Sequence, residues 1–210
     1  MNIVVLGASG GTGRLIVEQA LAAGHEVVAF VRTPAKLALR HPKLTVIQGE
    51  VLNAEQVTNA IARREAIVSA IGPTRPYQPN LLETTARNIT TAMQKHGVRR
   101  LIVTGGTIIR DPQDRPSGLD NLIKALMSIP GREILSDGER SDQVIRATAL
   151  DWTIVRYLLM LTNGPRIGQY RTGYLGHNVS LRLSRADGAD FIIQELASGK
   201  FIRKAPVVSY

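Results

Sequence analysis

The sequence predicts an α/β fold: a doubly wound parallel sheet, with a small C-terminal lobe on the substrate side. Three observations carry this expectation. Short apolar runs alternate with helical patterns through the first half of the chain. The runs are continuously apolar, as in strands covered on both faces, and right-handed crossovers between such strands give a doubly wound sheet. A glycine-rich loop joins the first run to the first helical pattern, as expected where such a sheet binds its ligand.

Residues 3–6 (Ile-Val-Val-Leu) form an apolar run closed by Gly7 and read as the first strand. Residues 12–23 carry Leu15, Ile16, Ala20 and Ala23 at helical spacing, and Gly24 stops the helix. Residues 27–31, 44–47 and 66–71 read as the second, third and fourth strands. Asn53 is placed to cap a helix over 54–62. Residues 81–96 form a long helix ending at Gly97. The fifth strand is 101–103, and a helix over 134–149 feeds the sixth at 153–155. Between them, 112–130 holds three prolines and a Ser-Gly pair, and reads as a loop with a short helix. Residues 164–183 are glycine-rich with short β-like segments. The last helix, 185–197, shows Phe191, Ile192 and Leu196 on one face. With no repeat or linker visible, residues 1–210 read as a single domain: a core to about 156, then the lobe and last helix from about 157.

A chain of 210 residues buries roughly 70% of its unfolded surface and needs no staples. It has no cysteine, which excludes disulfides, thiolate metal sites and a cysteine nucleophile. His25, His41, His96 and His177 lack metal-ligand spacing, so no metal is expected. Met1 leads directly into a core-like strand, and no apolar run could span a bilayer, so a cytoplasmic protein with no membrane partner is expected. The net charge of +9 suits anionic ligands. Its basic residues are dispersed, however, with Arg63-Arg64 and Arg99-Arg100 the densest pairs, and aromatic residues make up only 4%. Nucleic acid is therefore not the expected partner.

The loop Gly7-Ala8-Ser9-Gly10-Gly11-Thr12-Gly13 sits between a strand and a helix. Gly7 permits the tight exit from the strand, Gly10 lets backbone approach a pyrophosphate, and Gly13 lets helix and sheet pack closely. The free N–H groups and positive end of the helix then face the phosphates, with Ser9 and Thr12 as hydroxyl donors. The second strand ends Phe30-Val31-Arg32 with no carboxylate. An NAD site usually places an acid there, whereas Arg32 suits a 2′-phosphate, so NADP(H) is the expected cofactor. Arg14, Lys36 and Arg40 add positive charge nearby. Gly49-Glu50-Val51 after the third strand offers Glu50 to the adenine amine and Val51 to the ring. Ala70-Ile71-Gly72 after the fourth permits approach on the nicotinamide side. Thr104-Gly105-Gly106-Thr107 follows the fifth strand, with Thr104 beside the cofactor and Thr107 towards the substrate.

Those segments, with Arg32-Thr33-Pro34-Ala35-Lys36, resemble the atypical short-chain dehydrogenases with an NAD(P)-binding Rossmann fold. The branch resembled is the NAD(P)H-flavin reductase and biliverdin reductase B type, close to the NmrA-like proteins. Leu150-Asp151-Trp152-Thr153-Ile154-Val155-Arg156, Leu161-Thr162-Asn163-Gly164-Pro165 and Leu183-Ser184-Arg185-Ala186-Asp187-Gly188-Ala189-Asp190 extend the likeness over nearly the whole chain. The resemblance implies a reductase-like activity. Three departures qualify it. No tyrosine is followed four residues later by lysine, Gly105 stands where flavin-reductase relatives carry a serine, and Tyr157-Leu158-Leu159 replaces a Pro-Pro or Pro-His element. No proton donor is therefore evident, and no catalytic residue is assigned. Hydride transfer from NADPH to a flavin, quinone or similar planar acceptor needs mainly stacking and proximity. Tyr157 is the aromatic candidate to touch that acceptor, and 107–110, 157–161 and 164–176 are expected to enclose it. The alternative is a noncatalytic NADP(H)-sensing regulator of the NmrA-like type; either would work as a monomer or homodimer.

Overall fold

The computed structural model describes residues 1–74, 76–107, 109–118, 121–122, 125–126, 131–157, 160–176, 179–180 and 182–210. Ile108, Leu158 and Leu159 of the expected pocket segments lie outside them. So do His177 and residues 119–120, 123–124 and 127–130 of the 112–130 loop; of that loop's described residues, Gly118, Asn121, Leu122, Ala125 and Leu126 are helical, where the short helix is expected.

In chain order the elements are β1 (Asn2–Leu6), α1 (Gly11–Ala22), β2 (Glu26–Val31), a 3₁₀ turn (Pro34–Lys36), β3 (Leu44–Gln48), α2 (Ala54–Ile61), β4 (Ala66–Ser69), α3 (Leu81–His96), β5 (Arg100–Gly106), α4 (Arg132–Arg146), β6 (Asp151–Tyr157), β7 (Met160–Thr162), β8 (Arg171–Gly173), β9 (Arg182–Ser184), α5 (Arg185–Ser198) and β10 (Val207–Ser209). The main sheet runs β3-β2-β1-β4-β5-β6-β10-β8. It is parallel except for β8, which pairs antiparallel with β10. β7 and β9 form a separate parallel pair. The chain order reverses between β1 and β4, the switch point at which such sheets hold ligands.

β1 shows why the runs are continuously apolar. Ile3 and Val5 join the core cluster that contains Ile16 of α1 and Ile192 of α5. Val4 and Leu6 join the opposite cluster, with Ile61 of α2, Ile89 of α3 and Ile145 of α4. All four are fully buried, each contributing about 1.5–3 kcal/mol by leaving water.

Local signals set the element ends. Asn53 accepts a hydrogen bond from the Gln56 N–H at 3.0 Å and starts α2. Gly97, with φ +67°, closes α3. Buried Asp137 of α4 accepts from the N–H groups of Leu82 and Glu83 at 2.9 and 3.0 Å, so one carboxylate caps α3 and locks α4 beside it. Among the described residues no helix is long and apolar enough to cross a membrane.

Candidate functional site

Two cavities adjoin the C-terminal ends of the parallel strands. The larger encloses about 720 Å³ and the smaller about 270 Å³. Gly10, Ala70, Ile71 and Gly72 line both, so the β1–α1 loop and the end of β4 form their common wall.

The loop owes its shape to missing side chains. Gly7 has φ +78°, and a Cβ there would stand 2.9 Å from the Ala70 carbonyl oxygen. Its own carbonyl accepts from the Gly10 N–H at 3.0 Å. A Cβ on Gly13 would stand 2.1 Å from that same oxygen, so only glycine lets α1 start so close to β1. Gly10 is the N-cap of α1; no side chain caps the helix and its first turn holds no acid. By contrast, α2 and α5 are capped by Asn53 and Ser184. An uncapped helix start bordering a cavity has N–H donors and positive potential for an anion. This donor set fits the pyrophosphate of a dinucleotide.

The structure brings most of the sequence-predicted residues to these walls. Gly7, Ser9, Arg32, Lys36, Glu50 and Val51 line the smaller cavity. Gly11, Thr12, Thr104 and Tyr157 line the larger. Gly13 instead packs behind the loop. Arg14 pairs with Glu18 one turn along α1 at 2.8 Å, and Arg40 is exposed away from both cavities.

Thr107 is buried and its N–H bonds the Tyr157 carbonyl at 3.2 Å; its neighbours Gly106 and Ile109 line the cavity and Thr107 does not. Tyr157 is 7% exposed, and its hydroxyl donates to the Gly188 carbonyl at 3.3 Å. Burial pushes that phenol far above its ordinary value, so it stays protonated.

Two charged residues on the larger cavity were not singled out from the sequence. Asp142 lies on α4, where Gly138, Ser141, Asp142 and Ile145 face the cavity at helical spacing. Burial raises its carboxyl, while Arg146, paired with it, pulls the other way. Arg185 opens α5. The spacing along α4 was the signal available for Asp142. Arg185 had none beyond its place in the resemblance.

The NAD(P)H-binding family matches residues 7–198. Among curated proteins, the chain is 32% identical over 134 residues to the 3-beta-hydroxysteroid dehydrogenase of Mycolicibacterium neoaurum, covering 58% of this chain and 36% of that protein. The chain thus spans little more than a third of that relative. It is 26% identical over 203 residues to protein YwnB of Bacillus subtilis, covering 93% of this chain and 92% of YwnB. Among solved structures, a wide-type short-chain dehydrogenase/reductase from Veillonella parvula, in complex with NADP, is similar at TM-score 0.79 and 19% identity, covering 100% of this chain and 94% of that one. The chain belongs to the NAD(P)H-binding family, and its cofactor is NAD(P)H.

Proposed function

We propose that this protein is an NADPH-dependent reductase of the flavin-reductase-like branch, passing a hydride to a planar acceptor such as a flavin or quinone. The observation that carries the reading is the larger cavity. It begins at the phosphate loop and runs on between apolar side chains of α3, β5, α4 and β6, including Leu82, Ile89, Val103, Ile145 and Ile154. Such a chamber suits a flat apolar ring system beside the nicotinamide. Bound there, reduced nicotinamide supplies the hydride. The protein's part is to hold phosphates at Gly10–Thr12, leave room at Ala70–Gly72, and keep water from the reacting faces.

NADPH consumption with FMN, FAD and a quinone panel tests this, with a 3β-hydroxysteroid run in the oxidative direction with NADP⁺ because of the mycolicibacterial relative. Turnover on a flavin or quinone is expected. Tight NADPH binding with no turnover on any acceptor would instead favour an NADP(H)-sensing regulator. The Tyr157 hydroxyl, held by the Gly188 carbonyl, is compatible with both readings, since neither uses it as a proton donor.

Arg32 and Lys36 line the smaller cavity, where an adenosine 2′-phosphate would meet them. Arg32→Ala is expected to weaken NADPH ~10–100-fold, as loss of a hydrogen-bonded charge partner does, and NADH little. Equal losses for both cofactors in calorimetry would remove the basis for NADPH preference.

Tyr157→Phe removes one 3.3 Å bond and should lower stability by about 0.5–1.5 kcal/mol while turnover stays within a few-fold. A turnover loss near ~10³-fold would make the hydroxyl a general acid.

A further inference from the structure

Arg185 is the first residue of α5, yet its side chain crosses the first turn of α1. A Cβ placed on Gly11 would stand 3.3 Å from both Cδ and Nε of Arg185. Gly11 does not have positive φ, so its backbone does not demand glycine; the missing side chain leaves room for the arginine arm. Nη1 donates to the Leu161 carbonyl at 3.1 Å and to Asn163 Oδ1 at 2.7 Å. Among the described residues, Nε and Nη2 have no protein acceptor, and the side chain lines the larger cavity with Gly10, Gly11 and Thr12.

The phosphate loop, residues 7–13, has no cation of its own. Arg14 is turned to Glu18, and Arg32 and Lys36 line the other cavity. A pyrophosphate on this loop brings two negative charges, and Arg185 is the cation beside it. A guanidinium with free N–H groups on one edge can bond phosphate oxygens while its other edge stays tethered.

We propose that Arg185 clamps the pyrophosphate of the dinucleotide. Through Leu161 and Asn163 the clamp couples cofactor occupancy to the segment bordering the acceptor pocket, because Leu161 itself lines the larger cavity. Cofactor binding fixes the guanidinium, and the guanidinium fixes the 161–163 backbone. The coupling is reciprocal: an acceptor resting on Leu161 tightens the cofactor by the factor by which the cofactor tightens the acceptor. The inference rests on the reading that the phosphates lie at the start of α1.

The test is a binding titration of the full chain with NADPH, NADH, ADP-ribose and 2′-AMP. Arg185→Gln is expected to weaken the three pyrophosphate ligands alike, ~10–100-fold, with Arg185→Lys intermediate and 2′-AMP unchanged. Unchanged affinity for all four would overturn the clamp. An equal loss of 2′-AMP would also overturn it, since the damage would not be confined to the pyrophosphate. Hydrogen exchange reads the coupling: saturating NADPH should protect the 161–168 amides in the wild type and not in Arg185→Gln. Equal protection in both would overturn it. If the phosphates lie elsewhere, Gly10→Val will also bind NADPH normally; if only the clamp is wrong, Gly10→Val will fail and Arg185→Gln will not.

Discussion

Asp114→Ala is expected to destabilise the fold by about 3–5 kcal/mol, the range for stripping a buried charge of its partner. Arg156 and Asp114 are each about 2% exposed in their side chains and meet through two bonds, Nη1–Oδ2 at 2.7 Å and Nη2–Oδ1 at 2.8 Å. Arg156 also donates through Nε to the Ala205 carbonyl at 2.8 Å, tying β6 to the chain just before β10. Asp114 accepts from the N–H groups of Asp111 and Leu175 at 2.8 and 3.0 Å. The pair therefore anchors the loop after β5 and the turn after β8 to the end of β6. Ile109, whose carbonyl also meets Arg156 at 3.3 Å, lines the larger cavity. Alanine leaves the guanidinium buried with only carbonyl partners.

Burial pushes the Asp114 carboxyl up, but Arg156 and the two backbone N–H groups outweigh it and hold it below its ordinary value of 3.8. Its contribution is fully present above pH 3.8 and is lost as pH falls through the lower native value. The variant's stability should accordingly lose that part of the acid dependence. Urea denaturation at neutral and acid pH reads both effects. A midpoint shift worth under about 1 kcal/mol would show that the buried pair is not the anchor inferred from its geometry.

Sequence reading located the elements whose signals are local. Asn53 capping α2, Gly97 closing α3, and Gly7 with Gly13 shaping the β1–α1 turn act through their own chain neighbours. Strand ends set by partners were harder. The apolar run predicts β5 over 101–103; the strand runs on to Gly106 because Gly105 and Gly106 pair with Arg156 and Tyr157 of β6. β6 was expected to stop before Arg156, a charge at a buried position, which the distant Asp114 satisfies. The fourth strand was expected to reach 71 and ends at Ser69, beyond which Ala70–Gly72 turn along the cavities. β10 was not foreseen. Three residues show no usable period, and it exists through pairing with β6 and β8. The same division holds at the site. The glycine loop and Arg32, which line the cavities, are singled out by signals local in the chain, whereas Arg185 meets Gly11 only after folding.

Gly10→Val is expected to leave a folded protein that has lost NADPH binding. Gly10 has φ −76° and ψ 164°, extended backbone open to a β-branched residue. Its added Cβ would stand 3.2 Å from the Gly7 carbonyl oxygen, a contact that a shift of a few tenths of an ångström relieves, and would have no other neighbour within 4 Å. The new isopropyl group therefore enters the space that both cavities share, in front of the uncapped start of α1. A phosphate displaced from there loses charge-assisted bonds worth about 1.5–3 kcal/mol each, so losing two gives roughly a 100-fold or greater fall in affinity. NADPH and NADH should suffer alike, unlike the selective loss expected of Arg32→Ala, because the pyrophosphate is common to both. Circular dichroism checks the fold, and calorimetric titration checks the affinity. A folded variant that binds NADPH as tightly as the wild type would mean that the start of α1 is not where the pyrophosphate lies.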